Sequence, residues 1–384
     1  NAAEPFGYNP STNQFETSKN TFYLERAYIN INATITPEIK ARFTPDVYQA
    51  KDSSGKTQYF YQVKFAYVEY TPLTEDNGTS LSFQLGVIPN TWIPNVERYY
   101  GYRGMMKTLA DYSFVTSAKV NSSTGAVTRT SSSFFSTADL GAMAKFTFPG
   151  KYADLSLSVL NGNGFRDQSF DNRFKDIMLT GFIYPLAGEL KAKNDAAKKL
   201  NKNRIDGISD LTIGGYAYIG KQTNGEYGVA NGGQFNNTKF GGMFNIRYNF
   251  DKSGFVKLTG ELGYESFKVP NAVTADSSYN SLGFAGYLEF CPPIEQLKEK
   301  ISLVGVYYNF NPDNSSDYSP VYAFGGNNAK QSVLAIGLYF KPASVLKLGV
   351  NYQMNHYDNN VVVKYDGTST NSLNRIFVNG ILDF

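Results

Sequence analysis

The stretch KFGGMFNIRYNF, residues 239–250, alternates between two kinds of side chain. One parity is apolar or glycine, and the other carries the lysine, the arginine and both asparagines. Successive side chains of a β-strand point to opposite faces, whereas a helix brings every third or fourth residue to one face. The stretch therefore predicts a β-strand with one apolar face and one polar face.

Runs of the same kind recur along the chain, at residues 38–47, 81–88, 139–148, 153–160, 211–220, 256–264, 282–290, 334–340, 345–352 and 375–384. Short turns rich in Pro, Gly or Ser follow Ile35, Phe148, Phe250 and Lys341, and longer loops rich in Asn, Ser and Gly lie between them. Segments of roughly ten alternating residues, joined in turn by short and long connections, are typical of outer-membrane β-barrels. We predict one all-β domain over residues 1–384, a closed antiparallel transmembrane β-barrel of about 16 strands.

Composition agrees with a sheet that has two different faces. Charged residues make up 18% and aromatic residues 15% of the chain, and no apolar run is long enough for a transmembrane helix. The net charge of +3 is too small to indicate a nucleic-acid partner, and the single cysteine, Cys291, excludes an internal disulfide. A large soluble β-protein such as a propeller is the alternative, but the chain shows no blade repeat.

Two segments depart from the strand pattern. Residues 1–20 hold little that reads as a strand, so they predict an irregular N-terminal segment. Residues 89–136, called the long loop below, contain WIPNVERYYGYRGMMKTLADYSF. Loops of this length are usually functional or disordered, and the aromatic content of this one argues against disorder.

Three stretches carry a resemblance to a known family: FYLERAYININATITPEIKARFTPDV (22–47), GVIPNTWIPNVERYYGYR (86–103) and ADLGAMAKFTFPGKYADLSLSVLNGNGF (138–165). They resemble Gram-negative outer-membrane porins of the phosphate-selective porin O/P family. The resemblance implies sixteen strands, a homotrimer, and a third outer loop folded into the lumen as a constriction. It also implies an integral location among outer-membrane lipid and lipopolysaccharide, with Phe384 as the terminal aromatic residue that the barrel assembly machinery reads. The long loop is the third outer loop only if a strand precedes Thr21, so the first strand is short, irregular or upstream of residue 1.

The alternation predicts which charges face the lumen, because a charge on the lipid face at the midplane costs about 2–4 kcal/mol. The predicted pore-lining residues are Arg26, Lys40, Arg42, Lys145, Arg247, Lys257 and Lys347, with Glu97, Arg98 and Arg103 from the long loop. Lys239, Arg375 and several carboxylates, including Glu261 and Glu289, share the inward parity. The phase of residues 173–184 and 301–310 is ambiguous.

The predicted function is a porin, a water-filled channel for the passive diffusion of small hydrophilic solutes or ions. Basic lumen positions slightly outnumber acidic ones, which favours a weak anion preference, since rings of Lys and Arg select anions. A mixed-charge unselective pore, a channel specific for anions or oligosaccharides, and a structural or adhesive barrel occluded by the long loop stay open as alternatives. Phosphate specificity is not expected, because the lumen is less basic than in the family it resembles.

An enzyme is not predicted. Barrel hydrolases need a general base beside a nucleophile or acid, and the only histidine, His356, lies near Asp358 at the end of a predicted strand. No cofactor or metal centre is indicated, since His and Cys each occur once. Calcium binding by Asp313 and Asp317 is left open, although their spacing does not match a calcium loop.

Overall fold

The computed structural model describes residues 8–9, 14–15, 26–51, 56–120, 127–166, 174–190, 192–193, 205–223, 234–250, 253–269, 277–297, 299–311, 330–357, 362–363, 369–370 and 372–382. The described part is built around one large antiparallel sheet of 16 strands. This confirms the all-β architecture and the strand number that the sequence predicted.

The strands are β1 (Arg26–Tyr28), β2 (Ile31–Thr34), β3 (Ile39–Lys51), β4 (Thr57–Thr74), β5 (Ser80–Pro89), β6 (Ala138–Thr147), β7 (Ala153–Leu160), β8 (Asp176–Ile183), β9 (Gly207–Thr223), β10 (Gln234–Asn249), β11 (Phe255–Val269), β12 (Ser277–Cys291), β13 (Ile301–Asn311), β14 (Gln331–Ala343), β15 (Leu346–Tyr357) and β16 (Ser372–Leu382). From β3 to β16 each strand pairs with the next along the chain, and β1 and β2 both pair with β3. Such a meander follows from short connections between consecutive strands.

The two edges of the sheet are β16 on one side and β1 with β2 on the other. Within the described residues no strand pairing joins these edges. The predicted closure of the sheet into a barrel therefore stays a prediction.

One end of the sheet carries short turns, at residues 35–38, 75–79, 148–152, 250–254 and 344–345. We call it the short-turn end. Several of these turns hold the Pro and Gly residues that the sequence placed there, and Gly150 has φ 68°, in the left-handed region that favours glycine. The long loop starts and finishes at the opposite end.

The register of the strands separates two faces. Cross-strand neighbours such as Val68 and Leu85, or Leu338 and Val350, are apolar and exposed on the same face. We call this the apolar face, and its exposed side chains include Phe43, Leu157, Leu179, Ile213, Phe244, Leu262, Leu288, Leu303, Ile336 and Val378. The other face, called the polar face, carries most of the charged side chains of the strands.

The long loop packs on the polar face. It contains helix α1 (Ile93–Tyr100), a 3-10 helix (Leu109–Asp111) and a hairpin of Phe114–Val120 with Val127–Ser132. Asn90 Oδ1 accepts hydrogen bonds from the backbone N–H groups of Trp92 (2.8 Å) and Ile93 (3.0 Å), and α1 ends at Gly101, where φ is 76°. These two signals fix where the helix begins and ends.

Two further two-stranded hairpins lie outside the sheet, Tyr8–Asn9 with Gln14–Phe15 and Val362–Val363 with Ser369–Thr370. No helix of the described residues is long and apolar enough to cross a membrane.

Candidate functional site

The long loop is held at the middle of the sheet by a buried carboxylate, Glu261 on β11. Trp92 Nε1 donates a hydrogen bond of 2.8 Å to Glu261 Oε1. The Trp92 ring is stacked near Phe182, with 5.5 Å between centroids, and edge-on to Tyr216 at 4.7 Å. The start of α1 is therefore fixed by an aromatic cluster and by one polar contact at its centre.

The same carboxylate holds the 3-10 helix. The backbone N–H of Leu109 donates to Glu261 Oε2 at 2.9 Å, and that of Ala110 to Oε1 at 3.3 Å. The Tyr287 hydroxyl donates to Oε2 at 2.8 Å. One side chain of the wall thus binds two separate points of the long loop.

A second buried carboxylate, Glu289 on β12, holds the loop nearer the short-turn end. The Tyr102 hydroxyl donates to Glu289 Oε1 at 2.5 Å, and Lys257 and Lys341 each form an ion pair of 2.7 Å with it. Burial raises the pKa of Tyr102 far above its usual value, and the adjacent Glu289 carboxylate raises it further. The hydroxyl therefore stays protonated and acts as a permanent donor.

Residues 101–104 of the long loop, called its tip below, contact β15 and the edge strand β16. Lys347 Nζ on β15 donates to the Gly101 carbonyl at 2.8 Å, and its ammonium lies 5.0 Å from the centre of the Tyr102 ring. A Cβ on Gly104 would lie 2.7 Å from Cγ1 of Ile381 on β16, so only glycine fits this approach. The long loop therefore spans the polar face from β8 to β16.

After the 3-10 helix, the long loop runs towards the end of the sheet that lies opposite the short-turn end. Phe114 stacks on Phe310 of β13 at 4.1 Å, and Lys239 Nζ donates to the Phe134 carbonyl while pairing with Glu265 at 3.1 Å. The polar face of β13 and β14 beneath this part is buried, as at Tyr308 and Ala335.

The polar face of β3 and β4 is not covered in this way near the short-turn end, whereas Thr44, Asp46 and Lys64 further along these strands are buried. In the uncovered part Lys40 is exposed, and Arg42, Tyr67 and Glu69 are half-buried. Arg42 donates to Asn30 Oδ1 at 2.8 Å and to Thr44 Oγ1 at 3.0 Å, and its guanidinium lies 4.7 Å from the centre of the Phe65 ring. In the described part of the chain no carboxylate lies within ion-pair distance of Arg42, and its partners are neutral groups.

Three other basic residues that the sequence selected on the strands, Lys145, Arg247 and Lys257, have acidic neighbours. Lys145 pairs with Asp154 at 3.3 Å, and Arg247 lies 3.8 Å from Glu299. Arg247 also stacks on the Phe255 ring at 3.8 Å. The local net charge at Lys145 and Arg247 is thus close to zero.

The three selected residues of the long loop differ from one another. Arg103 pairs with both Glu97 and Asp111, whereas Arg98 is exposed and its guanidinium lies 5.5 Å from the ring centre of Tyr99. No contact within the described residues joins Arg98 or Arg103 to Lys40 or Arg42. The side chain of Arg26 and the whole of Phe384 lie outside the described residues, as do Asp313, Asp317 and Asp358.

Sequence reasoning placed Glu261 and Glu289 on the inward parity without giving them a role. The parity of β11 and β12 is visible in the chain, but the partners of both carboxylates lie on the long loop, far away in sequence. No local pattern near Trp92 or Tyr102 identifies the wall residue that each one meets.

Comparison with solved structures finds outer-membrane proteins. The outer membrane channel DcaP of Acinetobacter baumannii is similar with a TM-score of 0.47 and 12% identity, over 93% of this chain and 84% of that chain. OmpT of Vibrio cholerae gives 0.46 and 10%, over 93% and 88%, and the anion-selective porin from Comamonas acidovorans gives 0.40 and 11%, over 94% and 96%. No protein-family model and no curated protein matches the chain.

Proposed function

We propose that the chain forms a water-filled channel through the outer membrane of a Gram-negative bacterium, for the passive diffusion of small hydrophilic solutes and ions. The observation that carries this proposal is the division of one 16-stranded sheet into an exposed apolar face and a polar face. Lipid can cover the apolar face, and water can fill the space enclosed by the polar face. The protein is integral to the bilayer and acts without a cofactor or a catalytic reaction.

The proposal requires a closed sheet. The outer edges of β16 and of β1 with β2 carry backbone N–H and C=O groups, and each such group left unpaired in lipid costs several kcal/mol. We therefore propose that these edges meet, so that the polar face becomes the wall of a lumen. The long loop then lies inside as the third outer loop and narrows the passage.

The passage lies between the long loop and the uncovered polar face of β3 and β4. We propose that Lys40 and Arg42 line it from the wall. Because Lys145, Arg247 and Lys257 have acidic partners, only a few basic side chains act on ions. We propose a weak anion preference rather than a specific phosphate site.

A homotrimer in contact with lipopolysaccharide, inserted by the barrel assembly machinery with Phe384 as the terminal signal, completes the proposal. It rests on the resemblance to the phosphate-selective porins.

The experiment is a planar lipid bilayer measurement with the purified protein. Stepwise increases in current support the channel. A membrane that contains inserted protein but shows no steps supports the alternative, a structural barrel occluded by the long loop, which the extensive contacts of that loop with β8 to β16 favour.

A further inference from the structure

Glu261 is one of several buried carboxylates of the polar face, and its hydrogen bonds tie it to the long loop. Its residue is only 4% exposed, and within the described residues no lysine or arginine pairs with it. Its partners are Trp92 Nε1, the backbone N–H groups of Leu109 and Ala110, and the Tyr287 hydroxyl.

Three of these four donors belong to the long loop. Oε1 accepts from Trp92 and Ala110, and Oε2 accepts from Leu109 and Tyr287. A buried carboxylate needs such donors, because a charge removed from water without partners is strongly unfavourable. Hydrogen bonds to an ionised acceptor are also roughly twice as strong as neutral ones. The carboxylate and the loop therefore stabilise each other.

At the neighbouring carboxylates, lysine side chains contribute more of the contacts and the long loop contributes fewer. Glu289 is neutralised by Lys257 and Lys341 and receives one side-chain donor from the loop, Tyr102. Glu265 pairs with Lys239. Only at Glu261 do most of the bonds that satisfy the charge come from the long loop itself, at two points that flank α1.

We propose that Glu261 is the positioning residue of the passage: it fixes the long loop against the wall and so sets the width of the channel. The inference rests on the proposed function for its effect on current, but the binding of the loop is independent of it. Loss of Glu261 leaves the indole of Trp92 and the backbone N–H of Ala110 buried without an acceptor, while the N–H of Leu109 keeps only the Tyr287 hydroxyl at 2.7 Å. The loop then leaves the wall, and the passage changes width.

Trp92 offers a direct measurement, because it is the only tryptophan of the chain and it is completely buried against Glu261. In Glu261→Ala we expect the emission of Trp92 to shift to the red and its quenching constant with acrylamide to rise severalfold. In a planar bilayer the same variant should show a higher mean conductance and more open-channel noise. Glu261→Gln keeps the size but replaces one acceptor oxygen by a donor, so its changes should be smaller and in the same direction.

The matched control is Glu69→Gln, which also removes one carboxylate from the polar face. Glu69 lies on the part of β4 that the long loop does not cover, and it accepts a hydrogen bond of 2.6 Å from Gln84. This control should change ion selectivity while leaving the fluorescence and quenching of Trp92 as in the wild type.

Wild-type quenching and conductance in both Glu261 variants would overturn the proposal. Should Glu261→Ala fail to insert, the isosteric Glu261→Gln decides by the same two readouts. An increase in Trp92 quenching in a protein whose wild type passes no current would retain the anchor and refute the channel, so the two failures are distinguishable.

Discussion

The polar face is used in two ways in two regions of the same sheet. From β8 to β16 it lies beneath the long loop, and carboxylates such as Glu261 and Glu289 are buried there and held by hydrogen bonds or ion pairs. On the parts of β3 and β4 next to the short-turn end it is uncovered, and Lys40, Arg42 and Glu69 are exposed or half-buried. A charged residue on the polar face therefore does not necessarily line the pore, because the covered charged residues hold the long loop.

The largest effect is expected from breaking a covered charge group. Glu289→Ala removes a buried carboxylate from the half-buried Lys257 and Lys341, and removing one partner of a buried ion pair costs about 3–5 kcal/mol. Chemical unfolding of the protein in detergent should show this loss of stability.

The matched comparison is Asp154→Ala, which removes the partner of Lys145. The Lys145 side chain is 39% exposed, and exposed ion pairs contribute about 0–1 kcal/mol. Equal destabilisation by the two variants would mean that burial of the ion pair does not determine the cost of breaking it.

The next effect is on selectivity and concerns the uncovered region. Replacing Lys40 and Arg42 together by Glu reverses two charges that face the passage, so the reversal potential in a low-salt gradient should move towards cation preference. As a control, Lys151→Glu reverses an exposed charge in the turn 148–152 and should move the reversal potential much less. An unchanged reversal potential in the double variant would place Lys40 and Arg42 away from the constriction.

The smallest effect is expected at Lys347. Lys347→Met removes one hydrogen bond to the Gly101 carbonyl, which contributes about 0.5–1.5 kcal/mol, while Glu261 and Glu289 still hold the loop. The unfolding midpoint should fall slightly and the conductance should stay near the wild-type value. A conductance change as large as that of Glu261→Ala would show that the tip, and not the middle, positions the loop.

Much of the fold could be predicted from sequence because alternation is a local property. The predicted run at 153–160 has the same bounds as β7. The predicted run at 239–250 ends one residue after the last residue of β10, Asn249. Several strands extend further than predicted, as β11 does to Val269, since beyond the bilayer neither face needs to be apolar.

The alternation of apolar and polar side chains is lost on the strands that lie beneath the long loop. On β13 the side chains beneath the loop are Val304, Val306 and Tyr308, and they are as apolar as the exposed Leu303 on the other face. Met178 and Phe182 give β8 the same property. The phase of these strands was therefore ambiguous in sequence, and that ambiguity itself marks the part of the wall that another segment covers.

The site was less predictable than the fold. Parity placed Lys257 on the polar face, but its pairing with Glu289 depends on strand register and burial, which a single sequence does not contain. The aromatic content of the long loop argued against disorder, and a loop folded into the lumen was implied by the resemblance, whereas the role of Glu261 depends on contacts between residues far apart in the chain.

The most direct test of the central claim, that an uncovered polar strip beside the long loop is a weakly charged water passage, is the reversal potential of single channels at two salt concentrations. We expect stepwise currents with a small anion preference near 0.1 M salt. This preference should fade near 1 M salt, because the Debye length falls from about 10 Å to about 3 Å. Inserted protein that passes no current, or a strong preference that high salt does not reduce, would contradict the central claim.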